Sequence, residues 1–266
     1  MGRGLLRLGA ALAAAYGLIC LAVFLVQRRL QYFPERSDEA TALRRAAPLG
    51  LVPWRGSRGE LLGWRRPGRP AALRLLVFHG NAGNALDRAY YLPLAEALGA
   101  EAVLMEYPGY GARPGDLSEP ALVAAGREAA SLLAREGPLV LLGESLGSGV
   151  AVQVAVAQPG DLEGLLLVTP YASMADLGAA AYPWLPVRRL MRDRWDSEGC
   201  LGRYPGPVAI LLAGRDEVVG AEQGRRLARA CRGPVRIWEQ PEAGHNSLDL
   251  APEAGWREAL AFAAGR

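Results

Sequence analysis

A short apolar run, Leu139–Gly143, passes into Gly143-Glu144-Ser145-Leu146-Gly147 and then into a second apolar stretch that reads as a helix. A serine between two such glycines, at a strand-to-helix turn, is held on a tight bend with its hydroxyl exposed, which is the setting of a nucleophile. Gly143 and Gly147 omit the β-carbons that would collide with a neighbouring strand or helix, and Gly149 relieves the same crowding one turn later. A serine hydroxyl is a poor nucleophile at neutral pH until a base takes its proton, and histidine is the usual base. The chain has two histidines. Where such a turn carries the nucleophile, the carboxylate and then the imidazole follow it along the chain. His245, in Ala243-Gly244-His245-Asn246, follows Ser145, whereas His79 precedes it and is expected to brace its own loop by hydrogen bonding.

The third group must be a carboxylate that fixes the imidazole tautomer and stabilises the imidazolium as it forms. Asp216, in Gly214-Arg215-Asp216-Glu217, is the candidate, because it lies nearer the preceding strand and directly after the turn begun by Gly214. Glu217 is the alternative. Arg215 and Glu217 otherwise read as solvated neighbours. A tetrahedral oxyanion needs two backbone N–H donors, one following the nucleophile and one from an early strand-to-helix loop. Leu146 supplies the first and Asn81, in His79-Gly80-Asn81-Ala82-Gly83-Asn84, the second. The chemistry is acyl transfer through a serine ester, which requires no metal and no organic cofactor.

These groups must be positioned by the elements between them. After a hairpin with strands near Leu51–Arg55 and Glu60–Arg65, apolar runs predict strands at Leu73–Phe78, Ala102–Tyr107, Leu139–Gly143, Leu165–Val168, Val208–Ala213 and Val235–Glu239. They show little polar alternation, as expected of strands covered on both faces. Helices are predicted at Asn84–Leu98, Glu119–Arg135, Leu146–Ala157, Ala221–Cys231 and Glu253–Ala264. Alternation of this kind implies a mainly parallel sheet with right-handed crossovers, whose ligands bind beyond the carboxyl ends of the strands. Each candidate group falls just after a predicted strand.

The stretch Leu8–Val26 carries no charge, and as a helix it matches a bilayer core of roughly 30 Å. It is read as a retained anchor rather than a cleaved signal, because Val26 runs directly into Gln27-Arg28-Arg29 with no small-residue cleavage site. Arg3 and Arg7 on one side nearly balance Arg28, Arg29 and Arg36 on the other; the charges lean towards a catalytic domain outside the cytoplasm. Gln31-Tyr32-Phe33-Pro34 reads as the neck at the membrane interface. Residues 1–33 are thus the anchor and 34–266 the catalytic domain.

Composition agrees with this division. The 266 residues are 51% apolar, enough for one full core, and the net charge of +3 is spread without a basic tract, which speaks against a nucleic-acid partner. All thirty basic residues are arginine, a bias of GC-rich bacterial genomes. Cys20, Cys200 and Cys231 lack metal-ligand spacing and form no disulfide framework, although a single Cys200–Cys231 bridge stays open in an oxidising compartment.

Taken together, HGNAGN at 79–84, YPGYG at 107–111, GESLGSG at 143–149, GRDEVV at 214–219 and AGHNSL at 244–248 resemble the membrane-anchored branch of the α/β-hydrolase superfamily, which is similar to the protein depalmitoylases. The resemblance implies the α/β-hydrolase fold with a small lid, the triad Ser145, Asp216 and His245, and oxyanion donors on Asn81 and Leu146. Glu106 and Pro108 depart from the residues more common in relatives, which bears on the pocket floor and not on the triad.

The stretch 171–203, rich in aromatics and arginines, looks like that lid. Tyr107, Tyr110, Tyr171 and Trp184 are candidates to line a substrate pocket. The function expected is hydrolysis of a small-molecule or lipidated ester or thioester, with the membrane as the other partner. Two alternatives are a serine peptidase and a non-catalytic binding protein on the same fold, the latter disfavoured because all three triad members are present.

Overall fold

The computed structural model describes residues 2–68, 71–158, 160 and 162–266. The chain opens with helix α1 (Gly2–Gln31), strand β1 (Phe33–Pro34) and α2 (Glu39–Ala46), followed by an antiparallel hairpin of β2 (Val52–Arg55) and β3 (Leu61–Arg65). Strands and helices then alternate: β4 (Arg74–Phe78), the two-residue β5 (Ala82–Gly83), α3 (Tyr91–Ala97), β6 (Glu101–Met105), α4 (Glu119–Ala134), β7 (Leu139–Glu144), α5 (Leu146–Ala157) and β8 (Gly164–Val168). An excursion carrying α6 (Met174–Ala181), α7 (Val187–Leu190) and α8 (Ser197–Leu201) precedes β9 (Val208–Ala213), α9 (Ala221–Ala230), β10 (Val235–Gln240) and α10 (Arg257–Ala263).

The main sheet has the order β10-β9-β8-β7-β4-β6-β3-β2, parallel from β10 through β6 and antiparallel at β3 and β2. Its strands feed two cores. Along β7, Leu139 and Leu141 join a cluster with Leu122 of α4 and Val150 of α5, while Val140 and Leu142 join a second with Leu92 of α3 and Leu260 of α10. Both faces are therefore apolar, which is why the strand sequences do not alternate. Register brings the strand ends to one rim: Phe78 stands opposite Gly143, Glu144 opposite Val168, and Ala213 opposite Gln240.

Two predicted helices are shorter than their sequences suggest. Asn84 caps a 3-10 turn at Ala85–Arg88, closed by a reciprocal bond from the Asn84 amide to Asp87, and the α-helix begins only at Tyr91. Before α10, Gly255 takes φ +94°, a left-handed conformation that breaks the helical run predicted from Glu253. Cys20, Cys200 and Cys231 are free thiols, so the bridge left open by the sequence is not formed.

Helix α1 is long and apolar enough to cross a membrane by length and composition, with a mean hydropathy of 2.3 in its most apolar window. Its last turns dock on the excursion between β8 and β9. Gln27 Nε2 donates to Leu190 O at 3.2 Å and the Arg192 amide donates to Gln27 Oε1 at 2.7 Å. Arg28 grips buried Asp193 through two bonds of 2.8 and 3.0 Å. The Tyr32 hydroxyl donates to the same carboxylate at 3.1 Å and accepts from Trp195 Nε1 at 3.2 Å. The Gln31–Pro34 stretch, read from the sequence as the neck, is tied to the domain as well. Tyr32 is buried, and Phe33-Pro34 pairs in parallel with Ala82-Gly83.

Candidate active site

The turn between β7 and α5 holds Ser145 at φ +50° and ψ −116°, a conformation that L-residues rarely adopt and that surrounding structure must impose. Its neighbours supply the constraint. A β-carbon on Gly143 would lie 2.6 Å from Gly147 O, and one on Gly147 would lie 2.8 Å from His79 O, so both positions exclude side chains. The Ser145 amide donates to Val168 O at 3.0 Å and the Ser148 hydroxyl donates to Ser145 O at 2.7 Å.

Three loops at the same rim meet over this serine. Ser145 Oγ lies 3.0 Å from His245 Nε2, and His245 Nδ1 lies 2.8 Å from Asp216 Oδ2. With its proton on Nδ1 the ring donates to Asp216, which leaves Nε2 free to accept from the serine hydroxyl. The side chains of His245 and Asp216 are almost wholly buried. Burial works against the charge on Asp216. The hydrogen bond from His245 and those from the Val219 and Gly220 amides outweigh it and hold the carboxyl below its ordinary value. The Asp216 Oδ1 atom accepts from the amides of Val218 and Val219 at 3.0 and 2.8 Å, which aims Oδ2 at the imidazole.

Glu217, the alternative carboxylate, makes no bond to the imidazole ring; its Oε2 accepts from the His245 backbone N–H at 3.2 Å. It braces the histidine loop from outside, a role beyond that of a solvated neighbour, whereas Arg215 is exposed and pairs with Glu242.

The loop after β4 stands beside the serine: a β-carbon added to Gly80 would lie 3.7 Å from that of Ser145. His79 is buried and its Nδ1 donates to Gly80 O at 2.8 Å, consistent with a loop brace. The Asn81 carbonyl accepts from the Phe33 amide at 2.9 Å and from the Tyr110 hydroxyl at 2.8 Å, and Asn81 Nδ2 donates to Gln31 O at 3.3 Å. The peptide that carries Asn81 is thereby fixed by the segment that leaves α1. Leu146 opens α5 directly after the serine.

Of the four residues expected to line a substrate pocket, none lines the cleft at His245. That cleft, about 330 Å³, is bounded by Tyr90, Tyr91, Val168, Leu248, Leu250 and Trp256. Tyr107, Tyr110 and Tyr171 are fully buried, and their hydroxyls donate to the carbonyls of His79, Asn81 and Leu146 at 3.0, 2.8 and 3.4 Å. Their position just past strand ends puts the rings in the core, where each hydroxyl needs an acceptor. Trp184 lies at the far end of the excursion, its carbonyl accepting from the Tyr16 hydroxyl at 2.8 Å.

Sequence reasoning missed the cluster around Glu144. Its carboxylate accepts from Arg88 Nε at 2.9 Å, from the Tyr91 hydroxyl at 3.0 Å and from the Tyr90 hydroxyl. Burial and then the charge of Glu144 push both tyrosine hydroxyls well above their ordinary value, so they stay protonated donors. The available signal was a carboxylate at the end of a buried strand, which must find donors.

Comparison with known proteins fits this geometry. Residues 75–203 match the Alpha/beta hydrolase family. The chain is 36% identical over 233 residues to the uncharacterized protein Rv2307c of Mycobacterium tuberculosis, covering 84% of this chain and 82% of that one. It is 26% identical over 253 residues to the mouse mitochondrial palmitoyl-protein thioesterase ABHD10, covering 82% and 83%. Among solved structures, the Pyrococcus furiosus esterase PF2001 superposes with a TM-score of 0.65 at 13% identity, over 86% of this chain and 96% of that one, a likeness of fold. With the sheet, the glycine-flanked serine turn and this coverage of its relatives, the chain belongs to the alpha/beta hydrolase family.

Proposed function

We propose that the protein is a serine hydrolase that cleaves carboxylic esters or thioesters through an acyl-enzyme. The observation that carries this reading is the continuous hydrogen-bonded chain Ser145–His245–Asp216, with spacings of 3.0 and 2.8 Å. His245 takes the proton of Ser145 as Oγ attacks the carbonyl carbon, and Asp216 stabilises the imidazolium. The oxyanion that forms is received by the N–H groups of Asn81 and Leu146. Collapse breaks the bond to the leaving alcohol or thiol, which receives its proton from His245 Nε2. Water then repeats the sequence, with His245 again as base, and releases the acid.

The cleft beside His245 has an apolar wall of Val168, Leu248, Leu250 and Trp256, which suits an acyl chain. The likeness to a palmitoyl-protein thioesterase supports acylated or lipid-like substrates as the class. In the same reading α1 and the residues to 33 are a retained single-pass anchor, with the catalytic domain, residues 34–266, on the outer side of the membrane, and 171–203 are a lid. The test is hydrolysis of p-nitrophenyl esters and acyl thioesters of graded chain length by the purified full chain, with and without lipid. Activity that Ser145→Ala abolishes supports the mechanism; activity that survives the substitution overturns it.

A further inference from the structure

The excursion between β8 and β9 lies lengthwise along α1, and two contacts fix how far it reaches. At its base Gln27 bonds to Leu190 and Arg192, whereas at its tip the Tyr16 hydroxyl bonds to the Trp184 carbonyl. Tyr16 and Gln27 are eleven residues apart, a distance of about 16 Å at the α-helical rise of roughly 1.5 Å per residue. The tip therefore lies alongside the uncharged stretch of α1, about one leaflet's hydrocarbon depth, roughly 15 Å, beyond the point where the helix becomes charged.

The chemistry of the excursion is banded to match. Ala180-Ala181-Tyr182-Pro183-Trp184 is a run of exposed, uncharged residues, with Tyr182 and Trp184 53% and 57% exposed. Large aromatics left about half exposed at such a tip are unfavourable in water and gain by transfer of their rings to lipid. The charged residues gather on the return limb. Arg188 pairs with Asp176, Arg189 is exposed, and Arg192, whose amide bonds to Gln27, holds its guanidinium 5.6 Å from the centre of the Phe24 ring. An apolar tip followed by an arginine band at the charged end of a membrane-length helix is the pattern of a segment that enters one leaflet, with its arginines reaching back to the headgroups.

We propose that the Tyr182–Trp184 tip inserts into the leaflet that α1 crosses, so that lipid is the partner of this surface and the catalytic domain contacts the bilayer at two points. The proposal rests on the reading of α1 as a membrane span. The insertion would fix the orientation of the domain as well as its distance from the membrane. The excursion is rooted beside the site, where Tyr171 bonds to the Leu146 carbonyl and the chain at Ser173 bridges to Asp196.

The test uses the full chain in vesicles of phosphatidylcholine and phosphatidylglycerol, with its three cysteines replaced by alanine and single cysteines introduced by Trp184→Cys, Tyr182→Cys, Leu18→Cys or Glu253→Cys. Each carries an environment-sensitive fluorophore read against acyl-chain nitroxide lipids and aqueous iodide. Insertion predicts that lipid nitroxides quench the labels at 182 and 184 at least about threefold more than the label on exposed Glu253, with iodide showing the reverse order. Labels at 182 and 184 that iodide reaches as well as it reaches 253, while the label at 18 stays lipid-quenched, would overturn the insertion and leave the anchor standing. Shielding from both quenchers would mean that protein, such as a second copy, covers the tip, and would also overturn it. Iodide access at 18 would remove the anchor and the insertion together.

Discussion

The rim of the sheet and the face where α1 meets the excursion are held together in different ways. At the rim, the reacting groups sit on loops a few residues past strand ends, and backbone contacts fix them: Ser145 by Val168, Asp216 by the amides of Val218 and Val219, Asn81 by Phe33. At the other face, side chains join segments more than 160 residues apart in sequence, and Asp193 alone gathers Arg28, Tyr32 and the backbone-anchoring Gln31. The first arrangement is geometrically strict and tolerates little displacement. The second is a set of polar clasps. The segment Gln31–Phe33 belongs to both, since it touches Asp193 on one side and Asn81 on the other. Chemistry on a short soluble ester should thus depend steeply on the rim and weakly on the clasps.

Asp216→Asn is expected to break the rim most severely, lowering kcat by about 10³–10⁴-fold because the imidazole loses its fixed tautomer, with no change in vesicle binding. Steady-state kinetics and flotation check both halves. Gly147→Ala forces a β-carbon against the backbone of Phe78 and His79. Displacement of the serine by even about 1 Å should reduce kcat about 100-fold, and overpacking should lower stability by about 1–3 kcal/mol in denaturant unfolding. Asp193→Ala tests the other side of the comparison. It leaves Arg28 and Tyr32 without their shared acceptor and should cost about 1–3 kcal/mol of stability, while kcat on a soluble ester changes by less than about threefold. A large loss of kcat there would mean that the clasp and the rim are one unit. Tyr110→Phe removes one of two donors to the Asn81 carbonyl; a loss of about 1 kcal/mol, roughly fivefold in kcat with KM unchanged, is expected if that loop receives the oxyanion.

The smallest effect is on the pH dependence of stability. The carboxyl of Asp216 is held below its ordinary value, so its contribution is present above the ordinary carboxylate range and is lost as pH falls through the lowered value. Acid unfolding of Asp216→Asn, compared with the parent chain, should lack that component.

The same contrast explains what could be read in advance. Strand positions, the serine turn and the order of serine, carboxylate and imidazole follow from local patterns: two-sided apolar runs, glycines at a crowded turn, polar residues just past strand ends. The structure places Ser145, His245 and Asp216 within hydrogen-bond reach of one another. The bracing of the site was not legible, because Phe33 meets Ala82, and Arg88 meets Glu144, through packing that no periodicity encodes. Tyr107, Tyr110 and Tyr171, candidates for the pocket wall, have buried rings, and their hydroxyls serve loop carbonyls. Gly255 shows the reverse case, a visible residue whose left-handed φ no local pattern announced and where an added β-carbon would lie 3.2 Å from the Trp238 side chain of β10.

The most direct measurement is covalent labelling of the folded full chain with a fluorophosphonate, followed by peptide mass analysis. An adduct on Ser145 that is absent in Ser145→Ala and strongly slowed in His245→Ala is the predicted result. A folded protein that takes no label, or takes it at another residue with Ser145 untouched, would contradict the assignment of this serine as the nucleophile.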